Sequence, residues 1–342
     1  MMTKKYGVGI VGAGWVAGEY VKVFRDHPLT EVIGIYNKTP GKATRLMQQH
    51  GVQGKEFGSI DELLKDDRIS IMVHCAHADS RADYCARAAR TGRHLVIEKP
   101  ICTTPQEMDM LREAVTKAGV KTVTSVVLRW NPQFETIKAL LDDGKLGKLL
   151  YAEADYWHPI IKAYPGYPYY VKKISGGSSF TVAGIHAADI LRWLAGDVVE
   201  VAAFSAGPIA NPDFEYPPLT VASLRFANGA IGKLSSMIEG ETPYIFNTQI
   251  FGTDMSIRGN AVHSKKWYPG ATGYWTFPTV TPDSGDVSHH PFKPEIAHFI
   301  ECIENNVESH AAVHDTYKSM ALCFAIDESA AKGGQPVEVR LD

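Results

Sequence analysis

An α/β fold with a doubly wound parallel sheet in the N-terminal half, followed by an α+β second domain, is predicted for this chain of 342 residues by three observations. A short apolar run ends in a glycine turn that opens a helical pattern. Further apolar runs then alternate with helical stretches as far as residue 127. Beyond Arg129 this alternation stops, and strand-like runs separated by turn residues suggest an antiparallel meander.

Residues 6–11 (YGVGIV) read as a buried strand, and a helical pattern through Glu19, Tyr20, Val23 and Phe24 follows the turn. The runs EVIGIYN (31–37), ISIMVHCA (69–76), HLVIEKP (94–100) and VKTVTSVV (120–127) supply the other strands. Helices from Pro40 to His50 and from Thr104 to Ala118 lie between them. Such alternation implies right-handed crossovers. A helix near Asn131 to Asp142 then leads into KLLYAEADYW (148–157), with PLTVASLRFA, AIGKLSSMIE and YIFNTQIFG as later strands. Helices are expected within Ser178–Ala195 and over 294–306 and 317–334, the last stopped by Gly333, Gly334 and Pro336. The expected domains are 1–127 and 128–342.

Composition narrows the function classes. With 45 % hydrophobic and 21 % charged residues the chain can bury a sizeable core. A formal charge of −3, with Lys and Arg scattered, provides no basic stripe for nucleic acid. No apolar stretch reaches the ~18 to 20 residues that span a bilayer, and the N-terminus does not read as a signal peptide, so a cytoplasmic protein is expected. The cysteines at 75, 85, 102, 302 and 323 are odd in number and never spaced CxxC, as buried reduced thiols would be.

In GAGWVA, Gly12 permits the tight turn, Gly14 lets backbone approach a pyrophosphate, and Ala17 replaces the third glycine where helix meets strand. The helix N-terminus offers N–H groups and a positive dipole end to the anion. An NAD site usually has an acidic residue after the second strand; here stand Asn37 and Lys38. Asn37 can bond a ribose hydroxyl. Lys38 either neutralises a 2′-phosphate or is a solvated turn residue, so NAD and NADP both stay open. The expected cofactor set is Gly12, Gly14, Trp15, Val16, Asn37, Lys38, Ala76, His77, Glu98 and Lys99.

GAGWVA, the EKP of Glu98–Pro100 and GGSSFTVAGIHAADILRWL (176–194), in that order, resemble the Gfo/Idh/MocA oxidoreductases, which include inositol and glucose-fructose enzymes. The likeness extends through the HHPF of His289–Phe292 and the terminal helix. It implies a Rossmann domain and a second domain on a large, mostly antiparallel sheet, whose open face serves assembly into a homodimer or homotetramer. Lys99 matches the family's active-site lysine, with a cis Lys99–Pro100 bond implied, and His186 its catalytic histidine. An ammonium there can stabilise developing alkoxide charge, and an imidazole suits removal of a hydroxyl proton.

One position departs from the family. The aspartate expected four residues before the histidine is Val182. Asp189 and the pair Asp155 and His158 are the candidate replacements, although strand alternation places Asp155 with Trp157 and His158 with Tyr156. Arg129, Lys173 and His290 complete the expected substrate residues. Asp155, His158 and His186 are of metal-ligand types, but their spacing matches no compact motif and no metal is expected. The loop YWHPIIKAYPGYPYYVKK (156–173) can present rings to sugar C–H faces and cations to sugar oxygens, or cover a subunit interface.

The expected activity is hydride transfer between nicotinamide and a secondary hydroxyl of a carbohydrate substrate: a sugar, glycoside or inositol. Likeness to members that act on glycosides points to oxidation at C3. Two alternatives stand beside it. One is a glycosidase working by transient C3 oxidation and elimination; the other is a Rossmann-fold binding protein without chemistry.

Overall fold

The computed structural model describes residues 6–283 and 289–342. They form two compact units: residues up to Val127 with Pro291–Tyr317, and Leu128–His290 with Lys318–Asp342. None of the described helices is long and apolar enough to cross a membrane.

The first unit is built on strands β1 (Tyr6–Val11), β2 (Thr30–Tyr36), β3 (Lys55–Phe57), β4 (Ile69–His74), β5 (His94–Ile97) and β6 (Thr122–Thr124). All pair in parallel, in the order β3-β2-β1-β4-β5-β6. Strand order reverses between β1 and β4, and ligands of such sheets bind at the carboxyl ends beside that switch. Helices α1 (Trp15–Asp26), α2 (Lys42–Gln49), α3 (Ile60–Leu64), α4 (Arg81–Arg90) and α5 (Pro105–Ala118) connect the strands. β1 is a near-continuous apolar run because both faces are covered: Ile10 on one face and Val11 on the other are buried. α5 shows how local sequence sets an end: Thr104 and Glu107 form a reciprocal capping box, Pro105 opens the helix, and Gly119 closes it at φ 65°. The three-residue β3 and the alanine-rich α4 lacked the apolar period that marks the other elements, and they were not among the elements expected from sequence.

The second unit starts with α6 (Pro132–Asp142), capped by the Asn131 side chain. β7 (Leu149–Trp157), the short helices α7 (Tyr167–Tyr170) and α8 (Lys173–Gly176), a π-helical turn (Phe180–Gly184) and α9 (Ile185–Ala195) follow. Strands β8 (Val198–Ala206), β9 (Leu219–Phe226), β10 (Ile231–Met237), β11 (Ile245–Gly252), β12 (Ser256–Arg258), β13 (Ala261–His263) and β14 (Trp275–Thr276) complete it, with β15 (Val337–Glu338) at the far edge. The nine-stranded order is β14-β13-β12-β11-β7-β10-β9-β8-β15. The sheet is mostly antiparallel, as expected, but it is not a plain meander: β7 inserts between β10 and β11 and pairs with β10 in parallel. Alternation along β7 turns Ala152, Ala154 and Tyr156 inward, and α9 packs on that face.

Between these segments of the second unit, α10 (Phe292–Glu304) and the start of α11 (Val313–Ala331) belong to the first unit. This corrects the expected assignment of all of 128–342 to the second domain. The reason is local. The Thr124 N–H of edge strand β6 donates to the Ala311 carbonyl at 2.8 Å, Val313 N–H donates to Thr122 Oγ at 2.9 Å, and Phe292 lies edge-on to Tyr20 at 5.0 Å. The segment seals a sheet edge that would otherwise stay open.

Candidate active site

The glycine turn and the loops after β4 and β5 lie in the first unit. Gly12 follows β1 with φ +110°, and a Cβ there would meet Ala76 N, after β4, at 2.7 Å. A side chain is therefore excluded twice, by conformation and by space. Gly12 N–H donates to the Tyr36 carbonyl at 2.8 Å, and Ala13 N–H donates to Asn37 Oδ1 at 3.1 Å. Asn37 thus ties the glycine turn to the end of β2, and its amide nitrogen donates to the Thr39 carbonyl at 3.0 Å. Gly14 caps α1 with no side-chain bond to the first turn, which also carries no acid. Open space faces Gly14. The first-turn N–H groups and dipole are left for an anion, so the residues fit a dinucleotide pyrophosphate. Trp15 is exposed and Val16 half-buried beside the turn. Lys38 lies 4.0 Å from Asp79, both well exposed, and His77, also exposed, precedes the short turn that carries Asp79.

Beyond β5, Glu98 N–H donates to the His74 carbonyl at 3.1 Å, and Glu98 Oε2 accepts the Lys99 N–H at 3.0 Å. The Lys99–Pro100 bond is cis, as the resemblance implied. Sequence reasoning missed the group that ties this junction down: the buried Arg81 guanidinium donates to the carbonyls of both Ala76 and Pro100. It links the loops after β4 and β5. Arg81 Nε also donates to His74 Nδ1 at 3.4 Å. Burial, then the Arg81 charge, hold His74 far below the ordinary imidazole range, so its ring is neutral at physiological pH. For the half-buried Lys99, desolvation lowers the ammonium pKa, the neighbouring Glu98 carboxylate opposes the shift, and Arg81 reinforces it.

His186 and the residues around it lie in the second unit. The π-helical turn runs directly into α9, and a Cβ on Gly184 would meet Ser236 Cβ of β10 at 2.7 Å. That close approach sets His186 against the sheet. Its ring stacks on Tyr156, centroids 5.7 Å apart and planes 23° apart. Tyr156 Oη lies 3.3 Å from His158 Nδ1, and His158 Nε2 lies 3.1 Å from Tyr164 Oη. Tyr244 stands edge-on to both rings, at 5.6 Å from Tyr156 and 5.3 Å from His158. Tyr156, His158, Tyr164 and Tyr244 thus form one aromatic cluster, which His186 joins through Tyr156, and Val182, four residues before His186, is buried.

Three expected substrate residues are corrected. Asp155 points to the opposite face of the sheet from Tyr156, accepting a bond from Ser235 Oγ at 2.5 Å with Lys233 Nζ at 3.0 Å. Alternation separates it from His186. Arg129 and Asp189 form a bidentate pair at 2.8 and 2.6 Å, their side chains 0 % and 1 % exposed, with Ser319 Oγ donating to Asp189 at 2.7 Å. They are spent on each other inside the unit. His158 does join the His186 cluster. Lys173 is exposed at the start of α8, where its N–H donates to Glu215 at 3.1 Å, and His290 is half-buried just before Pro291.

Residues 6–126 match the oxidoreductase family with an NAD-binding Rossmann fold, and residues 134–258 match the GFO/IDH/MocA C-terminal domain. The scyllo-inositol 2-dehydrogenase (NAD(+)) of Bacillus subtilis (strain 168) is 24 % identical over 318 residues, covering 91 % of this chain and 90 % of the relative. A levoglucosan dehydrogenase solved with NADH and levoglucosan superimposes with TM-score 0.89 at 20 % identity, covering 99 % of this chain and 100 % of that one. The WlbA dehydrogenase of Bordetella pertussis, solved with NADH and UDP-GlcNAcA, gives 0.84 at 22 % identity, covering the whole of both chains.

Proposed function

The chain belongs to the GFO/IDH/MocA oxidoreductases with an NAD-binding Rossmann fold, and from that premise we propose that it is a dehydrogenase acting on a secondary hydroxyl of a sugar, glycoside or inositol. The observation that carries this reading is the pair of prepared groups: Lys99, held at a cis junction by Glu98 and Arg81, and His186, stacked on Tyr156.

The bound nicotinamide supplies the acceptor for the hydride that leaves the carbinol carbon. Gly12, Gly14 and the first turn of α1 would hold the pyrophosphate, with Trp15 and Val16 nearby. Asn37 shapes the turn that receives the ribose, and Ala76, His77 and Glu98 line the loops at the switch point. Lys99 donates to the reacting oxygen and stabilises the negative charge that grows there. His186 takes the hydroxyl proton. Tyr164 and Tyr244 offer ring faces to sugar C–H groups, and His158 offers a polar edge. Lys173 and His290 complete the proposed substrate set.

The cofactor is proposed to be NAD rather than NADP. A 2′-phosphate needs surplus positive charge, and Lys38 faces Asp79, which offsets it. Exposed Phe204, Val221 and Ile231 on the open face of the large sheet, 69 %, 43 % and 56 % accessible, support assembly into a homo-oligomer through that face. All five cysteines are free thiols, in keeping with a reducing, cytoplasmic setting.

The test is a panel of free sugars, nitrophenyl glycosides and inositols with NAD⁺ or NADP⁺, following reduced nicotinamide and released nitrophenol together. Reduced NAD that accumulates without nitrophenol, and is lost in Lys99→Ala and His186→Ala, is the expected result. Nitrophenol release without net reduction would replace the dehydrogenase by a redox glycosidase. Cofactor binding without turnover of any member would leave a binding protein.

A further inference from the structure

Deep in the first unit, two carboxyl groups are joined by two hydroxyls. Tyr20 Oη lies 3.0 Å from Glu98 Oε1 and 2.7 Å from Ser125 Oγ, and Ser125 Oγ lies 3.1 Å from Glu295 Oε2. All four residues are buried, with Tyr20 and Glu295 completely so. Each of these three contacts needs a proton, and the two hydroxyls supply one each. The third must sit on a carboxyl group. Either end would satisfy the count, but the surroundings choose. Glu98 also accepts the Lys99 N–H at 3.0 Å and has the Arg81 and Lys99 cations for neighbours. Glu295 Oε1 is buried without a hydrogen-bond partner, an arrangement far costlier for a carboxylate than for a neutral acid.

We infer that Glu98 and Glu295 are a one-proton acid pair, in which neutral Glu295 donates through Ser125 and Tyr20 to an ionised Glu98, and that Tyr20 and Glu295 are thereby positioning residues for Lys99. For this the two hydroxyls turn so that Glu295 donates to Ser125, Ser125 to Tyr20 and Tyr20 to Glu98, whereas with both carboxyl groups ionised Tyr20 donates to Ser125 and Ser125 to Glu295. Desolvation, then repulsion by Glu98, raise the Glu295 pKa well above the usual range, in the same sense as the proton count. The remaining titratable neighbours are Cys75, whose thiol burial pushes up, and Arg81. The pair keeps a fixed negative charge beside Lys99, which opposes the loss of the ammonium proton to burial. It also holds the acceptor of the Lys99 peptide N–H. The charge pair stands on the geometry alone; its role toward Lys99 rests on the dehydrogenase reading.

The two parts have separate tests. Infrared difference spectra of the full-length protein at neutral pH, wild type minus Glu295→Gln, should show a protonated-carboxyl stretch that shifts in heavy water. Absence of that band overturns the pair whatever the enzyme's substrate. If Glu295→Gln does not fold, carbon NMR of glutamate-labelled wild type decides: one side-chain carboxyl should stay at its protonated shift from pH 6 to 8. Full titration of every glutamate below pH 6 overturns the pair. For positioning, Tyr20→Phe deprives Glu98 of a donor, so the ionisation of kcat/KM that Lys99 controls should move to lower pH by about one unit. Glu295→Gln, which can still donate, should leave it in place. An unmoved ionisation in Tyr20→Phe overturns the positioning role while leaving the infrared result intact.

Discussion

The His186 imidazole lies against the Tyr156 ring at 5.7 Å, and strand β7 of the same unit carries that ring. The stack restrains the orientation of the His186 ring. A ring face restrains tilt but adds no charge. Geometry is what the tyrosine controls.

Tyr156→Ala should therefore lower kcat by about 10- to 100-fold, the range expected when a catalytic group is misplaced by an ångström. Tyr156→Phe keeps the stack and removes the contact with His158, so it should mainly raise KM. Steady-state kinetics with any substrate found in the panel separates the two. Equal loss of kcat in both variants would mean that the hydroxyl, and not the ring face, orients His186.

Arg129 and Asp189 lead to a prediction about stability instead of catalysis. Removing one member of a buried, bidentate pair strands the other charge, at a cost of about 3–5 kcal/mol. Asp189→Ala should shift the urea midpoint strongly downward, and Arg129→Met combined with Asp189→Leu should recover most of the loss. Cofactor affinity measured per folded molecule should hardly change. A variant that stays stable but loses substrate affinity would return Asp189 to the substrate site.

These two residues also mark the limit of what the sequence discloses. The glycine turn, the alternation of strands and helices, and the helix capped by Thr104 are local patterns, and they read directly. Alternation along β7 correctly separated Asp155 from Tyr156, but which face meets α9 depends on strands far along the chain, where Ser235 opposes Asp155 and Ser236 opposes Tyr156. Polar residues amid apolar runs look alike whether they serve a ligand or each other, so the sequence alone does not tell Arg129 and Asp189 from pocket residues. The acid pair was hidden for a related reason: Ser125 and Glu295 are 170 residues apart, and nothing near either one announces the other. Strands of two or three residues, such as β14 and β15, are too short to show a period.

Cofactor choice follows from the offset between Lys38 and Asp79. Both side chains are exposed, so the pairing is weak and its removal should have a modest effect. Asp79→Asn frees the Lys38 charge and should raise NADP⁺ affinity by about 2- to 5-fold relative to NAD⁺. Titrations of cofactor fluorescence on both proteins measure the ratio. A wild-type protein that already binds NADP⁺ more tightly would overturn the NAD assignment at once.

Asp327 provides a pH prediction whose sign can be worked out. Burial raises its pKa from the ordinary value to about 7, against the opposing effects of its bond with Ser178 and the Lys173 charge. The folded chain therefore holds this proton more tightly than the unfolded chain, whose aspartate titrates near about 4. Between these values the native state binds more protons, so stability falls as pH rises and the loss is complete above the folded pKa. Asp327→Asn removes the titration while keeping a group that can bond Ser178. Its melting temperature should exceed that of the wild type at pH 8, and the advantage should shrink toward pH 5. Ser178 also begins the segment that runs through the π-helical turn to His186, so ionisation of Asp327 should loosen the approach to His186. Hydrogen exchange over residues 178–186 should then be faster at pH 8 than at pH 6 in the wild type, after correction for the intrinsic rate, and nearly equal in Asp327→Asn. A difference that persists in the variant would assign the pH sensitivity to another group.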